Sequence, residues 1–217
     1  MIDGFDKLKI SDRIKRLGDL DGVVATTSFG IQSVVMLDLL RKHARHIPII
    51  FIDTGFLFPE TYRYKNELLG SLDLYINTYQ PLFSAADIQS NTPELWKTDP
   101  ENYAQITKIL PLKLAFEEYD AKVWISGLRN SQSSSRKNKS FIEKQGNITK
   151  IYPILDWADA QVEFYINENN LPRHPLESKG YVTSGDWHST YPLGDGGKGA
   201  TRFDGINYEC GIHDFQI

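Results

Sequence analysis

The sequence predicts an α/β protein built on a doubly wound, mostly parallel sheet. Three observations predict it. Apolar, β-branched runs alternate with stretches of helical periodicity from Val23 to Glu168. One of those runs, Ile47–Ile52 (IPIIFI), is almost wholly apolar, as a strand covered on both faces must be. Small and polar residues collect where the runs end, at Ser28–Gly30, Asp53–Gly55 and Gly127–Arg129. In doubly wound folds, ligands sit beyond the carboxyl ends of the strands, at the switch in strand order.

Residues 1–22 are polar with a helical pattern at Leu8, Ile14 and Leu17, and read as a helix laid on the sheet. Val23–Thr27 is a β-branched strand. It turns through Ser28–Phe29–Gly30 into a helix over Ile31–Leu40, with apolar residues at 31, 34, 35 and 39. Such a turn aims backbone N–H groups and a helix dipole at one point, a natural anion site. Thr27, Ser28 and Ser33 add hydroxyl donors. The GxxxxGK[ST] spacing of a Walker loop is absent. The same stretch also serves as an ordinary strand–helix connection with a serine cap, and taken alone it leaves both readings open.

Ile47–Ile52 is the second strand and ends in Asp53–Thr54–Gly55. Pro59 opens a helix that Glu60–Leu69 carries to Gly70, a C-terminal cap. Leu74–Tyr79 is a third strand. Residues 80–102 are broken by Pro81, Pro93 and Pro100, with room for a helix over Phe83–Ser90. Lys113–Tyr119 reads as a helix after Pro111, Val123–Ser126 as a fourth strand and Lys150–Leu155 as a fifth apolar stretch. Asp156 is placed to cap a helix over Asp159–Glu168. Beyond Leu171 the periodicity stops. Gly194–Gly199 is a flexible glycine-rich patch that divides a domain over 1–193 from a tail over 194–217.

The 217 residues are 41% hydrophobic and 24% charged, ordinary for a soluble globular chain with a real core. A net charge of −4 excludes a global basic field for nucleic acid, so an anionic ligand must be held by a local cluster. No apolar run is long enough to span a membrane, and MIDGFDKLKI lacks a signal-peptide pattern. Cys210 is the single cysteine, which excludes an internal disulfide and an all-cysteine zinc or iron–sulfur site within one chain. A reducing cytoplasm is the expected location.

Gly127–Arg136 (GLRNSQSSSR) holds two arginines, one glutamine and four serines, followed by Lys137 and Lys139. The guanidinium fork matches phosphate or sulfate, and serines supply short donors. Composition alone also fits a solvated serine-rich loop. Its position at a strand's carboxyl end, opposite the first turn, favours the anion grip. Arg173–His174–Pro175–Leu176 and Trp187–His188 are further candidates, each equally at home in a turn or core. Two histidines and one cysteine lack metal-ligand spacing. Cys210 lies in Glu209–Cys210–Gly211–Ile212–His213, a polar tail rather than a core strand. Isolated cysteines are usually buried and inert, but a nearby cation would raise the thiolate fraction of this one.

Five stretches in this order carry a resemblance: TTSFGIQS (26–33), IDTGFLFPETYRYKNEL (52–68), GLRNSQSSSR (127–136), HPL (174–176) and TRFDGINYECGIH (201–213). Over nearly the whole chain they resemble the phosphoadenosine-phosphosulfate reductases, the assimilatory sulfonucleotide reductase family. The resemblance implies an adenine-nucleotide α-hydrolase-like fold and a homodimer. It implies reduction of 3′-phosphoadenylyl sulfate to sulfite and adenosine 3′,5′-bisphosphate, with thioredoxin or glutaredoxin as electron donor. Carried over by position, Ser28, Phe29, Gly30 and Ser33 would hold the phosphosulfate end, and Asp53, Thr54 and Gly55 would lie near the nucleoside. Gly127, Arg129, Gln132, Ser133 and Arg136 would grip anionic oxygens, with His174 and Arg202 as further substrate contacts. Cys210 would be the nucleophile, with His213 beside it.

The related adenylyl-sulfate reductases bind a [4Fe–4S] cluster through a Cys-Cys pair, expected near Ala104–Gln105, and a CxxC near His188–Tyr191. No cysteine stands at either place, so the resemblance implies no cluster, no metal and the 3′-phosphorylated substrate. Two departures stand out. Lys108–Ile109–Leu110–Pro111 replaces the family's Lys-Val-Glu-Pro and loses a polar partner. Asn207–Tyr208 replaces a Lys-Arg pair ahead of Glu209–Cys210, which leaves Arg202 or His213 to assist the thiolate. The alternative on the same fold is an ATP-dependent nucleotidyl- or adenylyltransferase resembling an ATP sulfurylase small subunit. Its SGGxDS loop is not matched where Phe29 and Gln32 stand, and it has no use for ECGIH. A non-catalytic nucleotide-binding module is the third reading.

Overall fold

The computed structural model describes residues 4–133, 136–194, 197 and 201. Six strands form one sheet: Val23–Thr27 (β1), Ile49–Ile52 (β2), Ile76–Tyr79 (β3), Val123–Ile125 (β4), Ile142–Gln145 (β5) and Ile148–Ile151 (β6). Their order is β3-β2-β1-β4-β6-β5, parallel throughout except for the antiparallel β5–β6 pair. The doubly wound, mostly parallel sheet expected from the sequence is therefore present.

Alternation along the strands explains why both faces are covered. Val23, Ala25, Ile49, Phe51, Val123 and Ile125 point into one core. Helices Ile10–Gly18 (α1), Val34–His43 (α2), Pro59–Ser71 (α3) and Asp159–Glu168 (α8) contribute to that core. The intervening Val24, Ile50 and Trp124 point into a second core against Leu112, Ala115 and Phe116 of Leu110–Glu118 (α7). A strand with both faces dry needs apolar residues at successive positions, which is what IPIIFI supplies.

The connections differ from the sequence reading in several places. α2 begins at Val34, three residues later than periodicity suggests, because Gly30–Ser33 forms a separate turn closed by Ser33 N–H on the Gly30 carbonyl. Gly70 does not cap its helix. α3 continues to Ser71, and Asp73, at φ 48°, takes the left-handed position while Leu74 N–H closes on the Leu69 carbonyl. Asp156 does not cap α8 either, since its carboxylate accepts both Arg13 guanidinium nitrogens, at 2.8 and 2.9 Å. The helix read over Phe83–Ser90 is Ala85–Asn91 (α4), with Ser84 and Asp87 closing a reciprocal cap. Two short helices follow, Leu95–Thr98 (α5) and Pro100–Ala104 (α6).

A π-helical turn, Gln105–Ile109, joins α6 to α7. Pro111 lacks the N–H that would close on Thr107, and the widened turn falls just ahead of it. The antiparallel edge strand β5 is the one sheet element beyond the sequence reading. It pairs with β6 across a two-residue turn, Gly146–Asn147, with Gly146 at φ 59°. α8 is pinned to α2 by Asp38, which is fully buried and accepts from Arg41 at 2.8 Å, Lys42 at 2.7 Å and the Tyr165 hydroxyl at 2.7 Å. Burial pushes that carboxyl up, but these donors hold it below its ordinary range. Among the described residues no helix is long and apolar enough to cross a membrane.

Candidate functional site

A cleft of about 480 Å³ opens at the carboxyl ends of β1, β2 and β4. From β1 the chain runs outward through β2 to β3 and then crosses back to β4 on the other side of β1, so the cleft sits at the topological switch. It is walled by the turn after β1, the loop after β4 and the segment Tyr181–Asp186.

The first wall is the turn into α2. Ser28, Gly30, Gln32 and Ser33 line the cleft. Thr27 Oγ1 accepts the Phe29 N–H at 3.2 Å, which shapes the turn. Phe29 is a correction to the sequence reading: it does not face the cleft. Its φ of 49° swings the ring into the core, where it is fully buried and meets Phe51 edge-on at 5.0 Å. Gly30 is confined by its surroundings, since a Cβ there would stand 3.3 Å from Ser28 Oγ.

Of the three residues after β2, Thr54 alone lines the cleft. Asp53 instead holds the loop, accepting from Gly55 N–H at 3.0 Å, the Tyr62 hydroxyl at 2.6 Å and Gln80 at 3.3 Å. Gly55 takes φ 77°, and a side chain there would press on Ala85 at 3.0 Å. These two shape the site without lining it.

The loop after β4 supplies the cations. Gly127 lines the cleft and has no room for a side chain, since a Cβ would lie 2.8 Å from Met36 Cγ of α2. Arg129 is 1% exposed. Its guanidinium donates to Asp159 and Ser131, each at 2.8 Å, to the Trp157 carbonyl at 3.2 Å, and to Gln32 across the cleft. Gln132 Oε1 accepts the Arg129 backbone N–H at 3.0 Å and also the Arg136 guanidinium. Arg129, Gln132 and Arg136 all line the cleft. Ser133 does not, and its carbonyl accepts the Arg136 N–H to close a turn. Ser134 and Ser135 lie outside the described residues.

Among the cleft residues not read as site candidates from sequence, Lys108 and Asp186 form its best-buried charge pair. Lys108, from the π-helical turn, donates to Asp186 at 2.6 Å, and the Thr54 hydroxyl donates to the other carboxylate oxygen at 2.6 Å. Burial pushes the Asp186 carboxyl up, but Lys108 and Thr54 outweigh it and hold the pKa down at about 2. The available signals were a lone lysine in the apolar run ITKILPL and an aspartate behind two small residues, Ser184–Gly185. Leu110, the departure beside Lys108, is 47% exposed and does not line the cleft. Glu163 and Glu177 reach the rim, each tied to Arg173, at 2.8 and 2.7 Å.

His174 is a second correction. It is 1% exposed, packs on Tyr64 and does not line the cleft. Its Nδ1 accepts the Leu176 N–H at 3.1 Å, so the proton sits on Nε2 and is donated to Thr61 Oγ1 at 3.2 Å. Burial lowers its pKa to about 4. His188 is likewise packed inside, stacked on Trp96 at 3.9 Å with the Tyr103 hydroxyl 3.0 Å from Nε2. Among the described residues no group of three or more histidines, cysteines or carboxylates could hold a metal ion. Arg202, Cys210 and His213 lie outside the described residues. The last described residue, Thr201, accepts the Tyr191 N–H on its carbonyl at 2.9 Å.

Comparison with known proteins agrees with this architecture. Residues 22–192 match the model of the phosphoadenosine phosphosulfate reductase domain. A phosphoadenosine 5′-phosphosulfate reductase of Synechocystis is 42% identical over 198 residues, covering 88% of this chain and 80% of that protein. One from Xylella fastidiosa is also 42% identical, over 89% of this chain and 84% of its own. Among solved structures, the phosphoadenylyl-sulfate reductase of Candida auris superposes with a TM-score of 0.76 at 29% identity, covering 87% of this chain and 93% of that one. The FMN adenylyltransferase of Candida glabrata, at TM-score 0.63 and 16% identity over 88% of this chain and 63% of its own, shares the fold. With a family model matched from Gly22 through Pro192 and relatives at this identity over most of their length, the chain belongs to the phosphoadenosine phosphosulfate reductase domain family.

Proposed function

We propose that this protein reduces 3′-phosphoadenylyl sulfate to sulfite and adenosine 3′,5′-bisphosphate, taking two electrons from a dithiol protein such as thioredoxin or glutaredoxin. The observation that carries the proposal is the cleft at the strand switch. There a strand–turn–helix anion turn, Ser28–Ser33, faces two arginines from the loop after β4. Met36, Leu37, Leu40 and Ile125 give the same cleft apolar surface for a base, and its volume suits a nucleotide-sized ligand. The relatives' names supply the substrate class, and the Candida auris protein is described as a phosphate complex.

In the proposed mechanism the Cys210 thiolate attacks the sulfur of the sulfo group. The bond from sulfur to the bridging phosphate oxygen breaks, and its electron pair leaves with the bisphosphate. Cys210 then carries an S-sulfonate. A donor thiolate attacks Cys210 Sγ and expels sulfite, and the donor's second thiol closes its own disulfide to free Cys210. The mechanism requires Cys210 to reach the cleft, with His213 and Arg202 proposed as groups to favour the thiolate. One cysteine per chain cannot supply the four ligands of an iron–sulfur cluster, so the donor is the source of electrons. A homodimer in the cytoplasm completes the proposal.

The test is sulfite release by the purified protein with thioredoxin, from 3′-phosphoadenylyl sulfate and from adenylyl sulfate. The expected result is a large kcat/KM preference for the 3′-phosphorylated nucleotide in a colourless, iron-free protein. Equal kcat/KM values would overturn the substrate assignment, and absence of sulfite from both would overturn the reaction.

A further inference from the structure

The first turn carries more hydroxyls than the protein itself satisfies. Ser184 is 8% exposed, and its Oγ is buried with no hydrogen-bond partner. Ser33 Oγ, at the start of α2, is in the same state. Both residues line the cleft. They come from segments far apart in sequence and line the same cleft. A Cβ built on Gly30 would lie 3.3 Å from Ser28 Oγ, 3.8 Å from Ser184 Oγ and 4.0 Å from the Ser184 carbonyl. The absence of a side chain at position 30 thus keeps open the point that Ser28 and Ser184 approach from opposite walls.

A buried hydroxyl without a partner is costly, and native proteins keep few of them. Ser33 at the N-terminus of a ten-residue helix, beside backbone N–H groups and a positive dipole end, together with Ser184 on the facing wall, describes a cradle suited to a ligand oxygen. A tetrahedral oxyanion presents several acceptors at once and can take hydroxyls from both walls.

We propose that Ser184 is a substrate-binding residue, donating across the cleft to the oxyanion that rests on the Ser28–Ser33 turn, the phosphosulfate end of the nucleotide. This rests on the function proposed above and adds the Tyr181–Asp186 wall to the anion site. It also couples that wall to the charge pair, because Ser184 is two residues from Asp186, which Lys108 and Thr54 hold in place.

The test uses the full chain with Cys210→Ser, so that bound nucleotide is not consumed, with and without Ser184→Ala. Calorimetric titration with 3′-phosphoadenylyl sulfate should show Kd raised about tenfold by Ser184→Ala, the loss expected for one hydrogen bond to a charged group. The thermal midpoint of the ligand-free protein should hold or rise, since the substitution removes an unpaired buried hydroxyl. An unchanged Kd overturns the proposal. A lower ligand-free midpoint also overturns it, by showing that the hydroxyl serves the fold. Failure of the parent Cys210→Ser chain to bind the nucleotide would count against the proposed function itself, so the two failures are distinguishable.

Discussion

Lys108 Nζ lies 2.6 Å from Asp186 Oδ2, with the two side chains 9% and 1% exposed. Seventy-eight positions apart in sequence, they join the π-helical turn to the Tyr181–Asp186 wall of the cleft. A buried ion pair adds little net stability against a well-packed apolar pair, but removing one partner strands the other charge. Asp186→Ala is therefore expected to destabilise the fold by about 3–5 kcal/mol in urea unfolding. A double change, Lys108→Met with Asp186→Leu, should recover most of that loss while substrate binding stays impaired. If the double variant is as unstable as the single one, the ion pair is not the source of the effect.

Acid should weaken the protein in two steps. The folded pKa of His174 is lowered from 6.5 to about 4 by burial, so between these values the unfolded chain binds the extra proton. Stability then falls as pH drops from 6.5 toward 4. His43 is shifted the same way, chiefly by burial, and adds to this step. The carboxyl of Asp186 is held at about 2 against an ordinary 3.8, so its contribution is complete above pH 3.8 and is lost between there and about 2. His174→Gln should lower stability at pH 7 yet flatten the dependence of Tm between pH 4.5 and 6.5. An unchanged slope would show that His174 is not what titrates.

What the sequence made legible follows the range of the interactions. Strand β2 is readable because a strand with two dry faces must be apolar at every position, and the turn after β1 because its small residues are contiguous. The edge strand β5 has three polar residues of four and none fully buried, and its clearest mark is the short Gly146–Asn147 turn rather than any alternation of its own. Asp53 and Thr54 are adjacent and chemically alike as strand-end residues. Only the fold turns one toward Tyr62 and the other toward Asp186, 132 positions away. His174 shows the reverse case: a histidine in an exposed-looking HPL turn is a neutral, doubly bonded core residue. Phe29 was placed in the right turn, but the sign of its φ decides that the ring goes inward.

The two arginines of the β4 loop should separate in their effects. Arg129 is buried and bonded to Asp159, Ser131, Trp157 and Gln32, so it both frames the loop and faces the cleft. Arg129→Ala should raise KM by about 1.5–3 kcal/mol of lost charge-assisted bonding and also lower stability. Arg136 is less buried and contacts the loop through Gln132. Arg136→Ala should raise KM with little change in the urea midpoint. Wild-type KM in both variants would remove this loop from the anion site.

The proposed chemistry makes a quantitative demand on the single cysteine. Cys210 can attack a sulfo group and expel the bisphosphate, but the chain has no second thiol to resolve the S-sulfonate. Without a donor the reaction must therefore stop after one turnover. Mixing enzyme with 3′-phosphoadenylyl sulfate alone should release one equivalent of adenosine 3′,5′-bisphosphate and add about 80 Da at Cys210, the mass of SO₃ expected for the covalent intermediate. Adding thioredoxin should then discharge sulfite, because its first thiol attacks Cys210 Sγ and its second resolves the mixed disulfide. Cys210→Ser should bind the nucleotide with unchanged affinity, since the anion contacts come from the cleft, yet give no burst. Sulfite release by the serine variant, or the added mass on another residue, would remove Cys210 as the nucleophile while leaving the cleft as the binding site.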